Sequence, residues 1–296
     1  MSQLEAWERF RQFDFANNEQ WKQYLENLTL PENLSEQQKI NTIAKYKKKF
    51  YSARIEKLND FVLPYTQIEI PATAGKHDAT IIFMHGLGDS GSGWSDVFKK
   101  IKKMSSEFDC VKVILPNASE QFVSLTQMSM PSWYDLLSLS IDGAEDVASM
   151  DKCFNNVTTL IEREICEFGI KSERIILGGF SQGGSVAFYH GLTNKYKLGG
   201  IIVLSSWLPN RKNALTFVGK DFPNKTTPVF QAHGTSDVVV RYDWGATSMK
   251  FVVGSLLGGE ENAKHYTFKT YSGMGHSSSL TEMNDMAEFI KSSLKL

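Results

Sequence analysis

Five residues of this 296-residue chain, Gly179-Phe180-Ser181-Gln182-Gly183, have the Gly-x-Ser-x-Gly spacing in which a serine becomes a nucleophile. A serine hydroxyl attacks poorly until a base takes its proton, and the base must itself be oriented by an acid. The apolar run Arg174-Ile175-Ile176-Leu177 leads into the motif, and a helical pattern through Val186, Ala187, Tyr189 and His190 leaves it. On a tight strand-to-helix turn the serine side chain is pushed clear of the sheet, and the crowded flanking positions demand glycine. The Gln182 amide then opens the next helix and points at whatever binds Ser181, so it can stabilise an oxyanion. The chemistry implied is acyl transfer to a serine.

Six histidines could supply the base: His77, His85, His190, His233, His265 and His276. Only His276, in Gly273-Met274-Gly275-His276-Ser277-Ser278, follows a late strand on a glycine-rich loop able to reach a sheet's carboxyl edge. His190 lies on the helix after Ser181 and His265 precedes its strand, which suits surface or packing positions. His85 ends an early strand before Gly86, where its backbone is what matters. The orienting acid should follow the strand between Ser181 and His276. Asp237, in His233-Gly234-Thr235-Ser236-Asp237, occupies that loop; Asp243, where the next helix should start, is the competitor. A second oxyanion donor is expected from His85-Gly86-Leu87-Gly88-Asp89, whose glycines let the Leu87 amide face Ser181. The rival reading of that loop, a phosphate or dinucleotide cradle, lacks both the Gly-x-Gly-x-x-Gly spacing and a P-loop lysine. The chain order Ser181, Asp237, His276 is that of α/β-hydrolases.

These loops need a sheet to carry them. From residue 66 onward short apolar runs alternate with longer amphipathic ones: 80–84, 111–115, 174–177, 200–204, 228–232 and 266–271, with Ile68 and Ile70 alternating like an edge strand. Near-continuous β-branched runs separated by helix-length segments predict a mostly parallel sheet covered by helices on both faces. Helices are expected near 94–107, 145–168, 182–196, 243–257 and 280–294. The fold class is α/β.

At this point the residues resemble a known family, the acyl-protein thioesterase, lysophospholipase and carboxylesterase group of α/β-hydrolases. The matching pieces are His85-Gly86-Leu87-Gly88-Asp89, Met130-Pro131-Ser132-Trp133-Tyr134-Asp135, Gly179-Phe180-Ser181-Gln182-Gly183-Gly184, Ser206-Trp207-Leu208-Pro209, His233-Gly234-x-x-Asp237 and Gly273-Met274-x-His276-Ser277. They run in the family's order over residues 66–296. The resemblance implies Ser181 as nucleophile, His276 as base, Asp237 as its orienter, oxyanion amides from Leu87 and Gln182, and no metal or organic cofactor. Two departures stand out. Val238-Val239-Val240-Arg241 replaces the proline-containing stretch usual after the acid, and the first 60 residues have no counterpart in the family's compact form.

The same resemblance gives a substrate expectation. Phe122, Val123, Leu125, Met128, Met130, Trp133, Leu136 and Leu137 crowd a segment with little strand or helix period, and apolar residues there need a partner surface. In the family this segment and the Trp207-Leu208-Pro209 loop help form an acyl groove. Phe122, Leu125, Met128, Met130, Trp133, Trp207 and Leu208 are therefore the expected lining, the methionines adapting to long chains; the alternative for the 122–137 segment is a satellite core cluster under a long loop. The substrate would be an acylated protein, a lipid or a small ester. A rival from another class is a hydrolase-like scaffold subunit docked by its N-terminal helices.

Composition narrows the rest. A formal net charge of −1 argues against nucleic-acid binding, which needs a basic face. Hydrophobic residues at 42% and charged at 22% fit an ordinary folded chain, and no apolar run is long enough to span a membrane. No targeting segment is visible, so a cytoplasmic setting is expected. Three cysteines, Cys110, Cys153 and Cys166, form no closed disulfide set and no metal spacing. Residues 1–63 read as a helical extension preceding a catalytic domain at 64–296. The extension is glycine-free, with aromatics at helical spacing and a Ser35-Glu36-Gln37-Gln38 capping box. Its charge divides into net −4 over 1–36 and net +5 over 37–60, which fits paired helices, a homodimer contact, or peripheral contact with a protein or membrane.

Overall fold

The computed structural model describes residues 65–296, apart from 74, 76 and 218, together with 35, 37, 38, 41, 42 and 45. By internal contacts the chain divides into one unit of residues 65–158 and 170–296 and another of residues 1–64 and 159–169. In the second unit the expected capping box is present. The Ser35 hydroxyl accepts from the Gln38 amide at 3.3 Å, and the Gln38 side chain accepts from the Ser35 amide at 2.9 Å. The remaining expectations for residues 1–63, including their helices and contacts, lie outside the described residues.

In the larger unit the apolar runs become strands because only burial on both faces satisfies them. The strands are β1 (Gln67–Ile70), β2 (Ala79–Met84), β3 (Val111–Pro116), β4 (Glu120–Val123), β5 (Met128–Pro131), β6 (Ile175–Phe180), β7 (Gly200–Leu204), β8 (Val229–Gly234) and β9 (Tyr266–Tyr271). Seven form one sheet in the order β1-β3-β2-β6-β7-β8-β9, with β1 antiparallel to β3 and the other pairings parallel. The helices are α1 (Gly91–Met104), α2 (Val147–Glu167), α3 (Gln182–Thr193), α4 (Arg211–Ala214), α5 (Tyr242–Phe251) and α6 (Leu280–Leu294). The elements expected from residue 66 onward are found, most within a few residues of their predicted bounds.

The chain runs from β2 outward to β3, then returns to β6 and proceeds the other way. The strand order therefore reverses between β2 and β6, and open α/β sheets bind ligands in the crevice at such a switch point. Helix α1 packs there through Trp94, Phe98 and Ile101, spaced i, i+4, i+7, all buried. Its Trp94 and Phe98 rings lie 4.5 and 5.1 Å from Phe83 of β2. Helix α3 is buried from Gln182 to Leu192, and at Gly191 a Cβ would sit 2.9 Å from Ile201 of β7. Helix α6 starts with a cap in which Ser279 Oγ accepts from the Glu282 amide at 3.1 Å.

One expectation changes here. The first part of the apolar segment after β3 is regular: Glu120–Val123 and Met128–Pro131 pair as an antiparallel hairpin, with Phe122 opposite Ser129 and Val123 opposite Met128, while 132–137 stay without strand or helix. With two strands of four residues each, the alternation is too short to declare a period in sequence.

Candidate active site

The parallel strands bring the chemistry-bearing loops to one edge of the sheet. Ser181 follows β6, Asp237 follows β8, His276 follows β9, and the His85–Gly88 loop follows β2. Ser181 itself has φ 53° and ψ −120°, a conformation that costs a non-glycine residue energy and survives only where its surroundings dictate it. The surroundings are tight. A Cβ on Gly179 would lie 2.3 Å from the Gly183 carbonyl group, and one on Gly183 would lie 2.4 Å from the carbonyl oxygens of Met84 and His85. Helix α3 thus abuts β2 so closely that only glycine fits. The Ser181 amide donates to Leu204 O at 2.9 Å, and its carbonyl accepts from Ser206 Oγ at 2.7 Å.

His276 Nε2 lies 3.0 Å from Ser181 Oγ, and its Nδ1 lies 2.8 Å from Asp237 Oδ2. A carboxylate only accepts, so Nδ1 carries the proton and Nε2 faces the hydroxyl as acceptor. The Phe180 ring, 4.8 Å from the imidazole, covers one side of it. Asp237 Oδ1 accepts from the Val239 and Val240 amides at 2.9 and 3.0 Å. Burial by itself would raise the Asp237 pKa. The N–H of His233 facing Oδ2, the hydrogen bond from His276, the nearby His276 and the Val239 amide outweigh it and hold the carboxyl well below the usual range. The acid and base loops are also laced together: Ser236 N donates to Met274 O at 3.0 Å, Gly273 N to Thr235 Oγ1 at 3.0 Å. The competitor Asp243 is exposed and paired with Arg241 at 3.0 and 3.1 Å.

The Leu87 and Gln182 amides, the expected oxyanion donors, meet no acceptor among the described residues. Gln182 heads α3, where an intrahelical bond is impossible. Both loops are tied to one short segment at the end of β5 and just beyond it. Pro131 O accepts from the Gly88 amide at 2.8 Å, and Trp133 Nε1 donates to His85 O at 2.7 Å. Gln182 Oε1 accepts from the Trp133 amide at 3.1 Å while its Nε2 donates to Tyr134 O at 2.9 Å. The Tyr134 hydroxyl pairs with Ser185 Oγ at 2.7 Å. Sequence reasoning gave Gln182 only a backbone role; its side chain is a buried cross-brace. His85 also does more than its backbone. Its buried ring accepts from the Ala118 amide at 3.0 Å and lies 4.9 Å from the Trp133 ring.

The expected groove lining divides. Phe122, Leu125 and Met128 are exposed, at 52%, 41% and 59%, and Met130 is half-buried beside Gly88. Trp133, Trp207 and Leu208 are instead buried and offer almost no surface to a ligand. Trp133 is only 3% exposed, held by its indole hydrogen bond and an edge contact with Tyr65 at 5.1 Å. The burial of Trp133 has a simple cause: a tryptophan with a donor to satisfy is buried where a carbonyl waits for it. His190 is a packing residue as expected, stacked 5.3 Å from Phe154 and bonded to Thr158 Oγ1 at 2.8 Å; burial lowers its pKa to about 3.

Sheet order, switch point and the disposition of serine, histidine and aspartate define the α/β-hydrolase class. A model of the phospholipase/carboxylesterase family matches residues 65–294. Acyl-protein thioesterase 1 of Mycosarcoma maydis is 40% identical over 230 residues, covering 75% of this chain and 93% of that protein. Among solved structures, Arabidopsis thaliana SOBER1 matches with a TM-score of 0.64 and 31% identity, over 73% of this chain and 99% of its own. Zea mays acyl-protein thioesterase 2 matches with a TM-score of 0.66 and 26% identity, over 78% and 99%. The chain belongs to the phospholipase/carboxylesterase family of α/β-hydrolases and is a serine hydrolase. Among the described residues no cluster of His, Cys, Asp or Glu is arranged to hold a metal ion, and no helix is long and apolar enough to cross a membrane.

Proposed function

We propose that this enzyme hydrolyses acyl thioesters and esters through an acyl-enzyme on Ser181, with acylated proteins as its substrate class. Ser181 Oγ attacks the acyl carbonyl carbon as its proton passes to His276 Nε2, while the Leu87 and Gln182 amides receive the oxyanion. Collapse of that intermediate expels the thiolate or alkoxide, which takes the proton from Nε2. Water, deprotonated by the same nitrogen, then releases the acid. Asp237 keeps Nδ1 protonated and supports the imidazolium that forms. The observation that carries this reading is the continuous chain from Ser181 Oγ through His276 to Asp237, at 3.0 and 2.8 Å. The relatives named acyl-protein thioesterase support the thioester as the scissile bond.

For the acyl chain, the exposed apolar side chains Phe122, Leu125 and Met128, with Met130 beside the oxyanion loop, are the surface that supports a groove. Each methylene it covers contributes up to about 0.8 kcal/mol, so specificity rises steeply with chain length until the groove is full. Fluorophosphonate labelling tests the nucleophile: wild type labels at one serine and Ser181→Ala does not, losing turnover by several orders of magnitude. Residual activity in Ser181→Ala of a tenth of wild type overturns the reading. Residues 1–63 we propose as an appendage outside the chemistry, one that sets oligomeric state or a peripheral contact. Deleting them leaves fluorophosphonate labelling intact and changes the elution volume in size-exclusion chromatography; a folded truncation that fails to label refutes this.

A further inference from the structure

His233, the fifth residue of β8, is a fully buried imidazole beside the proposed proton relay. Its Nε2 lies 2.8 Å from Val240 O, and a carbonyl only accepts, so Nε2 carries a proton. The same nitrogen stands 3.5 Å from Asp237 Oδ2, too long for a good hydrogen bond but close enough to place an N–H dipole against that oxygen. Nδ1 meets no partner among the described residues. The ring is held in place. Gly245 of α5 abuts it so tightly that a Cβ there would lie 2.4 Å from Nδ1, and the Tyr242 ring stands edge-on at 6.0 Å.

This matters because of what Val240 O belongs to. Asp237 Oδ1 is fixed by the amides of Val239 and Val240, so the carboxylate is oriented by the very turn that His233 closes. Val238 and Val239 on that turn are exposed. From inside, the turn is held by Asp237 Oδ1 at the Val239 and Val240 amides and by the His233 N–H at Val240 O.

We propose that His233 is a positioning residue for the reaction: its Nε2–H clamps the Asp237–Val240 turn and lies against Oδ2, so that this oxygen meets His276 Nδ1 in line. The proposal rests on the reading of Ser181, His276 and Asp237 as the catalytic residues. The groups facing the ring are Asp237, with His276 beyond it, and Tyr242. An acid of this kind removed outright costs a triad about 10⁴-fold, and a displacement of about 1 Å about 10²-fold. Loss of the clamp is therefore expected to lower kcat by about 10- to 100-fold.

The test compares three variants of the full chain. His233→Gln can return an amide N–H near the Nε2 position, whereas His233→Asn reaches only as far as Nδ1, and His233→Met fills the space without a donor. The expected result is that Met and Asn lower kcat by about 10- to 100-fold with KM changed less than about 2-fold. In both, the acid limb of the kcat/KM profile moves to lower pH, because the His276 imidazolium loses part of its carboxylate partner; Gln restores both rate and profile. Wild-type kcat in a folded Asn or Met variant overturns the proposal. So does a Gln variant as impaired as Asn with an unmoved pH profile, since imidazole shape alone would then be what counts. If His233→Met fails to fold, the Gln and Asn pair decides alone. Ser181→Ala, run alongside, separates the two levels: activity there removes the underlying reading, whereas an inactive Ser181→Ala with normal His233 variants removes only this one.

Discussion

Trp133→Phe separates a brace from a groove wall. The substitution keeps an aromatic ring against Tyr65 and His85 but removes the Nε1–H that donates to His85 O at 2.7 Å. The His85 carbonyl is buried, and leaving it without its donor costs about 1–3 kcal/mol. For a folded body of this size that corresponds to a fall in Tm of roughly 2–12 °C, at about 2–4 °C per kcal/mol. The carbonyl lies two residues before the Leu87 amide, so the loop carrying one proposed oxyanion donor loosens. Losing such a donor outright costs about 10²–10³ in kcat, and loosening one should cost about 10-fold. The assay is kcat/KM for p-nitrophenyl esters from two to eight carbons, with Tm by calorimetry. A brace predicts the same factor at every chain length, because the oxyanion is common to all of them. A large loss with the eight-carbon ester and none with the two-carbon ester would refute the reasoning and return Trp133 to the groove.

Asp237→Asn should cost about 10⁴-fold in kcat by misorienting His276, whereas Asp243→Asn, on an exposed ion pair with Arg241, should stay within about 2-fold; the reverse order would move the acid assignment. Phe122→Ser and Met128→Ser should flatten the chain-length dependence while leaving two-carbon turnover unchanged, since both side chains are exposed and far from the proton relay in sequence; an unaltered slope rejects the groove. Glu282 predicts a pH effect on stability. Burial pushes its pKa up to about 8, with the Ser279 amide pulling it down and Asp285 adding to the rise. The native state then holds a proton that the unfolded chain releases near 4.5, so stability falls as pH climbs from about 4.5 to 8. At 1.36 kcal/mol per pH unit the loss is capped at about 5 kcal/mol. Glu282→Gln should therefore gain in Tm over wild type on going from pH 5 to pH 9, and a constant difference across that range would contradict the burial argument.

Much of the architecture was legible in the chain because it rests on local physics. Runs such as Ile175-Ile176-Leu177 and Gly200-Ile201-Ile202-Val203-Leu204 have no polar face to show to water, so a parallel sheet covered on both sides follows from composition and spacing alone. Glycines at 179 and 183 around a serine, a late Gly-rich loop with His276, and Asp237 between them select the three proposed catalytic residues. Parallel strands deliver all three loops to one edge whatever the details of packing.

Tertiary structure decided what depends on contacts between residues distant in sequence. Nothing local distinguishes Trp133 from Phe122 as a groove residue. Only when the segment after β5 is wedged between β2 and α3 does the indole find His85 O, 48 residues away, and leave the surface. The Gln182 amide was legible as a helix N-terminus, but its side-chain brace to Trp133 and Tyr134 spans about the same separation and has no local signal. His233 reads in sequence as one more histidine at a strand end. Its relation to Asp237 exists because the 237–240 turn folds back over β8 and α5 closes on the ring at Gly245. Periodicity records which face of an element is buried; which polar atom waits inside that burial is settled only by the neighbour that arrives there.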